Sequence, residues 1–333
     1  MTTNRLALAH LPTPLQKPER LARALGIDLW IKRDDMTGGA EAGNKIRKLE
    51  FLLAAAVAEG ADTVITCGGL QSNHARATAI AAASLGLGAV LFLRTSDPDL
   101  DPAKAPLEGN VLLDRLVGAE IRLITPATYR DRNAVMAAAA TELRAAGKRP
   151  YVIPEGGSNG LGSLGYVEAM AEVRRQLDQG LSGGKPFDVI IHACGSGGTA
   201  AGVALGAAAH NVAPEVRAMA VCDDSATFEQ VIARIIGESR AVDPSLTGPA
   251  RLVVDDRSKG PAYAVSTPEQ RRGIIEAARL SGLLLDPVYT GKAFAGLTRL
   301  AASELAGARV LFLHTGGLPG LLAQGSAFSG EIG

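Results

Sequence analysis

Two short segments far apart in the chain carry residue types suited to one chemistry: Gly43-Asn44-Lys45-Ile46-Arg47-Lys48-Leu49-Glu50 and Cys194-Gly195-Ser196-Gly197-Gly198-Thr199. A lysine at the mouth of a helix supplies an amine, and a glycine-rich strand-to-helix turn supplies backbone N–H groups for a phosphate. An imine-forming amine paired with a phosphate cradle points to pyridoxal phosphate. Lys45 needs a lowered pKa for this role, because a lysine is ordinarily protonated and solvated. Arg47 and Lys48 lie within one helical turn of it, and positive charge gathered near the positive end of a helix lowers a lysine pKa. Arg47 and Lys48 themselves read as a solvated basic face, away from the chemistry.

A second constellation, Gln71-Ser72-Asn73-His74, follows an apolar run at 62–66 and the turn Cys67-Gly68-Gly69. Glycines at the carboxyl end of a strand let the chain turn into a helix whose first N–H groups, with Ser and Asn side chains, bind a carboxylate. Helix capping and a hydrogen-bonded interior histidine account for these residues equally well. The 194–199 loop lacks the lysine of a nucleotide P-loop. It continues into Ala200 with no clear ribose-binding acid beyond Asp223 or Asp224, which weakens a nicotinamide reading. Glycines used only for close helix–strand packing are the structural alternative. If the loop holds phosphate, a side chain at Gly197 would obstruct the approach of backbone to it. Further on, Tyr289 in Asp286-Pro287-Val288-Tyr289-Thr290-Gly291-Lys292 offers a phenolic acid or base, and Thr315 in His314-Thr315-Gly316-Gly317 offers a hydroxyl to a ring nitrogen. A buried tyrosine and a turn threonine are the plainer readings of that pair.

These residues need a scaffold of strand-to-helix turns. Short β-branched runs at 28–32, 62–66, 89–93, 119–124, 150–153, 188–193, 216–221 and 309–313 alternate with amphipathic Ala/Leu segments. That rhythm predicts an α/β fold of two lobes, each a mostly parallel twisted sheet flanked by helices. Ile46, Leu49, Leu52 and Leu53 share one helical face, and Asn44 takes the N-cap, which sets Lys45 at the helix entrance. The break in pattern at 156–162 divides the chain into a smaller, substrate-side domain at 46–155 and a larger cofactor domain made of 1–45 and 156–333. Residues 240–262 are the least regular stretch and read as a lid or an insertion.

Composition sets the class. The chain of 333 residues, 47% hydrophobic and poor in aromatics, has room for two soluble globular lobes. Lys plus Arg equals Asp plus Glu at 34 each, so no global field attracts nucleic acid or an anionic membrane. Cys67, Cys194 and Cys222 are too few and too scattered for a disulfide framework or a thiolate zinc cage, so no metal is expected and a reducing cytoplasm fits. Residues 1–16 have no apolar core of a targeting signal, and no apolar run reaches a membrane-spanning length. A cytoplasmic location is the expectation.

In order, the segments at 43–50, 71–74, 156–162 (Gly-Gly-Ser-Asn-x-Leu-Gly), 286–292 and 314–317 resemble the D-cysteine desulfhydrase and 1-aminocyclopropane-1-carboxylate deaminase family. That family belongs to the fold type II, tryptophan-synthase-β-like pyridoxal phosphate enzymes. The similarity runs from Pro12 to Gly320. It implies that Lys45 binds the cofactor as a Schiff base and, once released, acts as the base at the substrate Cα. It implies that Asn73 bonds the cofactor 3′-oxygen, that Gln71, Ser72 and His74 lie at the substrate, and that Thr315 faces the pyridine nitrogen. Gly195, Ser196, Gly197, Gly198 and Thr199 would hold the phosphate. Ser72 and Tyr289 join Lys45 as catalytic residues. Tyr263 matches a second active-site tyrosine, although residues 255–268 depart from the family's Gly-Tyr-Gly pattern.

The resemblance implies that cyclopropane deaminases place a glutamate after the motif tyrosine, where its carboxylate keeps the pyridine nitrogen protonated. This chain has Thr290 there, so that the hydroxyls of Thr290 and Thr315 would surround that nitrogen without a carboxylate. The resemblance therefore favours the eliminating members, since thiolate or sulfite leaves readily while ring opening needs a stronger electron sink. The expected reaction is α,β-elimination from a small sulfur-containing amino acid, foremost D-cysteine, to pyruvate, ammonia and hydrogen sulfide. L-cysteate follows, with Lys48, His74, Arg76 and Lys292 as cations for its sulfonate. Deamination of the cyclopropane amino acid is third, and a racemase or dehydratase of serine-like substrates shares the fold. From another class, a noncatalytic ligand-binding protein on the same scaffold is the alternative, disfavoured by the retained Lys45. The family also implies a homodimer with no nucleic-acid or membrane partner.

Overall fold

The computed structural model describes residues 4–97 and 99–332. In chain order its strands are β1 (Leu15–Gln16), β2 (Asp28–Lys32), β3 (Thr63–Gly69), β4 (Gly88–Arg94), β5 (Glu120–Ile124), β6 (Pro150–Val152), β7 (Val189–Cys194), β8 (Glu215–Ala220), β9 (Arg251–Asp255) and β10 (Arg309–Leu313). They form two sheets, giving a two-lobed α/β fold. One has the order β1-β2-β10-β7-β8-β9 and is parallel except for the β1–β2 pair; the other, β5-β4-β3-β6, is parallel throughout. Parallel neighbours require long crossovers, which the helical segments between them supply. Residues Val189 to Cys194 of β7 are all buried, the reason this strand reads as a near-continuous apolar run. Among the described residues no helix is long and apolar enough to cross a membrane.

Two strands were not expected from sequence. β1 has only two residues, and β9 falls inside the stretch 240–262 read above as a lid or insertion. That reading is corrected: the stretch closes the helix Ser225–Val242 and then supplies the edge strand β9, paired in parallel with β8 from Glu215↔Arg251 onward. At a sheet edge β9 is only partly covered, so its sequence carries little apolar signal.

The helix Asn44–Ala58 carries Lys45 and departs from expectation in a second way. Ile46, Leu49, Leu52 and Leu53 are buried as expected, yet Arg47, Lys48 and Glu50 are buried too. Arg47 is no solvated residue. Its Nε and Nη2 donate to Asp34 at 2.8 Å each, and its Nη1 reaches Glu172 at 3.1 Å. Lys32 also donates to Glu172, and the Tyr166 hydroxyl donates to Asp34 at 2.7 Å. Breaking such a buried pair by removing one partner costs about 3–5 kcal/mol. The network clamps the lysine helix against β2 and the helix Gly160–Asp178.

Candidate active site

The carboxyl ends of the parallel strands open onto one cavity of about 540 Å³. β3 contributes Gly68 and Gly69, β4 contributes Arg94, β7 contributes Cys194, and the chain leaving β10 contributes Thr315. Open parallel sheets bind ligands at this end.

Lys45 lies on the first turn of its helix and faces the cavity, half-buried. Asn44, expected to cap the helix, is instead its first residue, with Gly43 at the cap. The Asn44 backbone N–H donates to the Thr315 carbonyl at 3.0 Å, its side-chain amide donates to Thr199 Oγ1 at 3.0 Å, and its Oδ1 accepts from Lys45 Nζ at 3.1 Å. One residue thus joins the lysine, the glycine loop and the 314–317 segment. Burial lowers the Lys45 ammonium pKa to about 8, assisted by the Arg76 guanidinium. Arg47 is matched by its two carboxylates and does not serve that end.

Gly195, Ser196, Gly197 and Thr199 line the cavity between β7 and the helix Gly198–Ala209. Gly198 does not; its N–H donates to Ser158 Oγ at 3.2 Å. At Gly197 φ is 82°, and an added Cβ would meet Val231, Ile232 and Ile235 at 3.0 to 3.4 Å. The missing side chain is therefore excluded by the helix Ser225–Val242 and by backbone conformation, which corrects the expectation that it would block phosphate. Lys48, read above as solvated, lies behind this loop. Its Nζ donates to the Gly156 carbonyl at 3.0 Å and to Ser158 Oγ at 3.2 Å, and burial lowers its pKa well below the usual lysine range.

On the other sheet, Ser72, Asn73 and His74 line the cavity at the start of the helix Asn73–Ser84. Ser72 caps that helix, accepting the Ala75 N–H at 3.2 Å, so capping and cavity lining coexist. Asn73 Oδ1 accepts from Asn110 at 3.1 Å, which leaves its amide donor for the cavity. His74 Nε2 pairs with Thr66 at 2.9 Å, and burial, followed by Lys45 and Lys48, lowers its pKa until the ring is neutral. Gln71 is not part of the lining: its side chain donates to the Glu108 carbonyl at 3.2 Å and accepts from Asn110 N–H at 2.7 Å.

Tyr263 and Tyr289 both face the cavity, their hydroxyls 2.6 Å apart and their rings edge to face. Burial pushes the Tyr263 phenol up to about 12 and Tyr289 well above its usual value, so both stay protonated. Tyr289 is held from behind by Asp286, which accepts its N–H at 2.9 Å. Thr290 does not face the cavity. It is fully buried, and its hydroxyl donates to Asp286 at 2.7 Å, so of the two threonines considered for the ring nitrogen only Thr315 is in place. Arg76 and Lys292 also lie off the cavity, bound respectively to Asn110 with the Ala42 carbonyl and to the Val221 and Ala262 carbonyls. Cys194 and Cys222 do line it, with thiols pushed up by burial to about 12, which makes them poor nucleophiles.

Residues 6–316 match the family described as pyridoxal-phosphate dependent enzyme. The chain belongs to this family. Among curated proteins it is similar to a mitochondrial bifunctional D-cysteine desulfhydrase/1-aminocyclopropane-1-carboxylate deaminase of Arabidopsis thaliana, at 44% identity over 96% of this chain and 80% of that protein. A putative 1-aminocyclopropane-1-carboxylate deaminase of Pyrococcus abyssi is 41% identical over 96% of this chain and 94% of its own. Among solved structures, an ACC deaminase homologue superposes with a TM-score of 0.88 at 38% identity, covering 98% of this chain and 95% of that one. O-ureido-L-serine synthase, at 17% identity and a TM-score of 0.67 over 96% and 93% of the two chains, shares the fold alone.

The protein is thus a catalytic pyridoxal-phosphate dependent enzyme of fold type II. Its cavity fits the cofactor: a lysine amine of lowered pKa, a glycine turn opening a helix with the buried Lys48 amine behind it, a free Asn73 amide and the Thr315 hydroxyl converge there. The contacts that tie Asn44 and Lys48 to the glycine loop were not disclosed by residue types alone, because each runs to a partner more than 100 residues away. Arg94, Arg130 and Arg132 on the lining were missed as well.

Proposed function

We propose that this enzyme is a lyase for a small amino acid, releasing pyruvate, ammonia and hydrogen sulfide from D-cysteine by α,β-elimination. The observation that carries the reading is the Lys45 amine and the Tyr263–Tyr289 hydroxyl pair on one cavity. Pyridoxal phosphate, when bound, supplies the electron sink for charge developing at the substrate Cα. Lys45, with a pKa near 8, exchanges between amine and ammonium close to neutral pH and moves the Cα proton. The N–H groups at the start of the Asn73–Ser84 helix, with Ser72, bind the substrate carboxylate. With the cofactor bound, Gly195, Ser196, Gly197 and Thr199 would hold its phosphate, with Lys48 behind them, and Asn73 and Thr315 would hold its ring through the Asn73 amide and the Thr315 hydroxyl. Tyr289, protonated and tied to Tyr263, donates to the departing sulfur. The lobes are assigned as 46–155 on the substrate side and 1–45 with 156–333 on the cofactor side. The assembly is assigned as a homodimer, and a monomer mass in light scattering removes that assignment.

A second reading is deamination of 1-aminocyclopropane-1-carboxylate to 2-oxobutyrate and ammonia. The names of the Pyrococcus relative and of the solved ACC deaminase homologue favour it, while the Arabidopsis name carries both activities. The objection from Thr290 also loses its footing, since that hydroxyl faces Asp286. Elimination of sulfite from L-cysteate is the third candidate. Steady-state assays of the holoenzyme with D-cysteine, L-cysteine, L-cysteate, D-serine and the cyclopropane amino acid, reading pyruvate and 2-oxobutyrate separately, test the order. The highest kcat/KM is expected with D-cysteine. A cyclopropane kcat/KM equal to or above it overturns the first reading in favour of the second.

A further inference from the structure

The cavity wall carries a guanidinium that the proposed reaction does not use. Arg94 ends β4 in register with Gly69 of β3, so it leaves the sheet beside the turn that leads to Ser72 and Asn73. Its guanidinium carbon lies 4.9 Å from the centre of the Tyr129 ring and 5.1 Å from that of Tyr263. Both rings are anchored: the Tyr129 hydroxyl donates to Glu155 at 2.5 Å, and the Tyr263 hydroxyl meets Tyr289. Gly69 leaves the space Tyr263 needs, since a Cβ there would come within 2.9 Å of its ring. Aromatic faces hold a guanidinium by its plane and leave its in-plane N–H donors at the edge.

Those donors have no partner. The adjacent Arg132 is matched by Glu155 at 2.8 Å, whereas among the described residues Arg94 has neither a carboxylate partner nor a side-chain hydrogen bond. A half-buried, rigid, unpaired guanidinium on a ligand cavity is a fork for a planar or tetrahedral oxyanion. The cations that the sequence offered for such a group do not fill the role, because Lys48, Arg76 and Lys292 lie off the cavity and His74 is neutral.

Resting on the lyase reading above, we infer that Arg94 recognises an anionic group carried on the substrate Cβ, of which a sulfonate is the type, and so extends the range of leaving groups beyond the thiol of D-cysteine. With such a substrate the Cα proton passes to Lys45, the C–S bond breaks with its electron pair leaving on sulfite, and water then releases pyruvate and ammonia. A guanidinium fork stabilises the charged oxygens before and during that departure.

The test uses the holoenzyme as wild type, Arg94→Gln and Arg94→Lys. In Arg94→Gln the ratio of kcat/KM for L-cysteate to that for D-cysteine is expected to fall about tenfold or more, mainly through the L-cysteate KM, with partial recovery in Arg94→Lys. Calorimetry gives a second readout that needs no turnover. Wild type should bind ethanesulfonate about tenfold or more tighter than uncharged dimethyl sulfone, and Arg94→Gln should erase the difference. Equal losses for both substrates would assign Arg94 to the shared α-carboxylate and overturn the inference, as would a wild type indifferent between ethanesulfonate and the sulfone. If neither amino acid is turned over, the lyase reading fails, and the calorimetric comparison still decides Arg94.

Discussion

The side-chain amide of Asn44 donates to the Thr199 hydroxyl at 3.0 Å, joining the first turn of the lysine helix to the first turn of the helix behind the glycine loop. The oxygen of the same amide accepts from Lys45 Nζ. One side chain thereby links the Lys45 amine to the glycine loop proposed above to hold the phosphate. A cofactor with an aldehyde at one end and a phosphate at the other requires a fixed span, because a small misplacement at either end removes the benefit of the other.

Asn44→Ala removes both contacts, and each buried hydrogen bond is worth about 1 kcal/mol net. Pyridoxal phosphate titration of the apoprotein should show affinity weakened about tenfold or more. Asn44→Asp keeps an acceptor for Lys45 and loses the donor to Thr199, and its added carboxylate should raise the Lys45 pKa above about 8. Wild-type titration in both variants would remove Asn44 from the site.

The pKa of Lys45 sets a pH dependence whose sign follows from the form that reacts. Only the neutral amine adds to an aldehyde, and burial lowers the ammonium pKa from 10.5 to about 8. Cofactor capture by the apoprotein should therefore accelerate about tenfold per pH unit below that value and level off above it. Stopped-flow absorbance follows the capture, and a midpoint near 10.5 would contradict the effect of burial. Lys45→Ala should show no visible band of the lysine-bound cofactor and no turnover, and borohydride reduction of wild type should label Lys45 alone.

Gly197 tests how the loop is held. Its φ of 82° and the approach of Val231 to 3.0 Å make Gly197→Ala strained on both counts. Stability should fall by about 1–3 kcal/mol, read by urea unfolding of the apoprotein. Loss of cofactor affinity with unchanged stability would restore the view that a side chain here meets the phosphate.

What the sequence disclosed and what it hid follow from range. Lys45, Ser72, Asn73, Tyr289 and Thr315 sit in short motifs at or just before the starts of helices, a local feature of sequence, and each lines the cavity. β7 was legible because both its faces are buried, whereas β9 was not, because an edge strand between polar segments has half the apolar signal. Arg47 and Lys48 read as solvated because charged residues seldom bury unpaired. Their partners Glu172 and Ser158 lie 125 and 110 positions away, beyond any local pattern. Gln71 shares a motif with its cavity-facing neighbours yet turns to Asn110, a choice made by tertiary contact alone.

Thr290 decides whether the residue after Tyr289 acts on the ring nitrogen or on the backbone that carries the tyrosine. Its hydroxyl donates to Asp286 Oδ1 at 2.7 Å and accepts the Asp286 N–H at 2.8 Å, while Asp286 in turn accepts the N–H groups of Val288, Tyr289 and Thr290. Thr290→Val keeps the shape and removes both hydroxyl bonds, leaving a buried carboxylate short of a donor. The cost should be about 1–3 kcal/mol in urea unfolding, with kcat for D-cysteine reduced as Tyr289 loses its support, and Thr290→Ser should recover most of both. Because the hydroxyl points away from the cavity, the visible band of the bound cofactor should keep its position in every variant. A shifted band at unchanged stability would turn Thr290 toward the ring and reinstate the electronic argument against opening a cyclopropane.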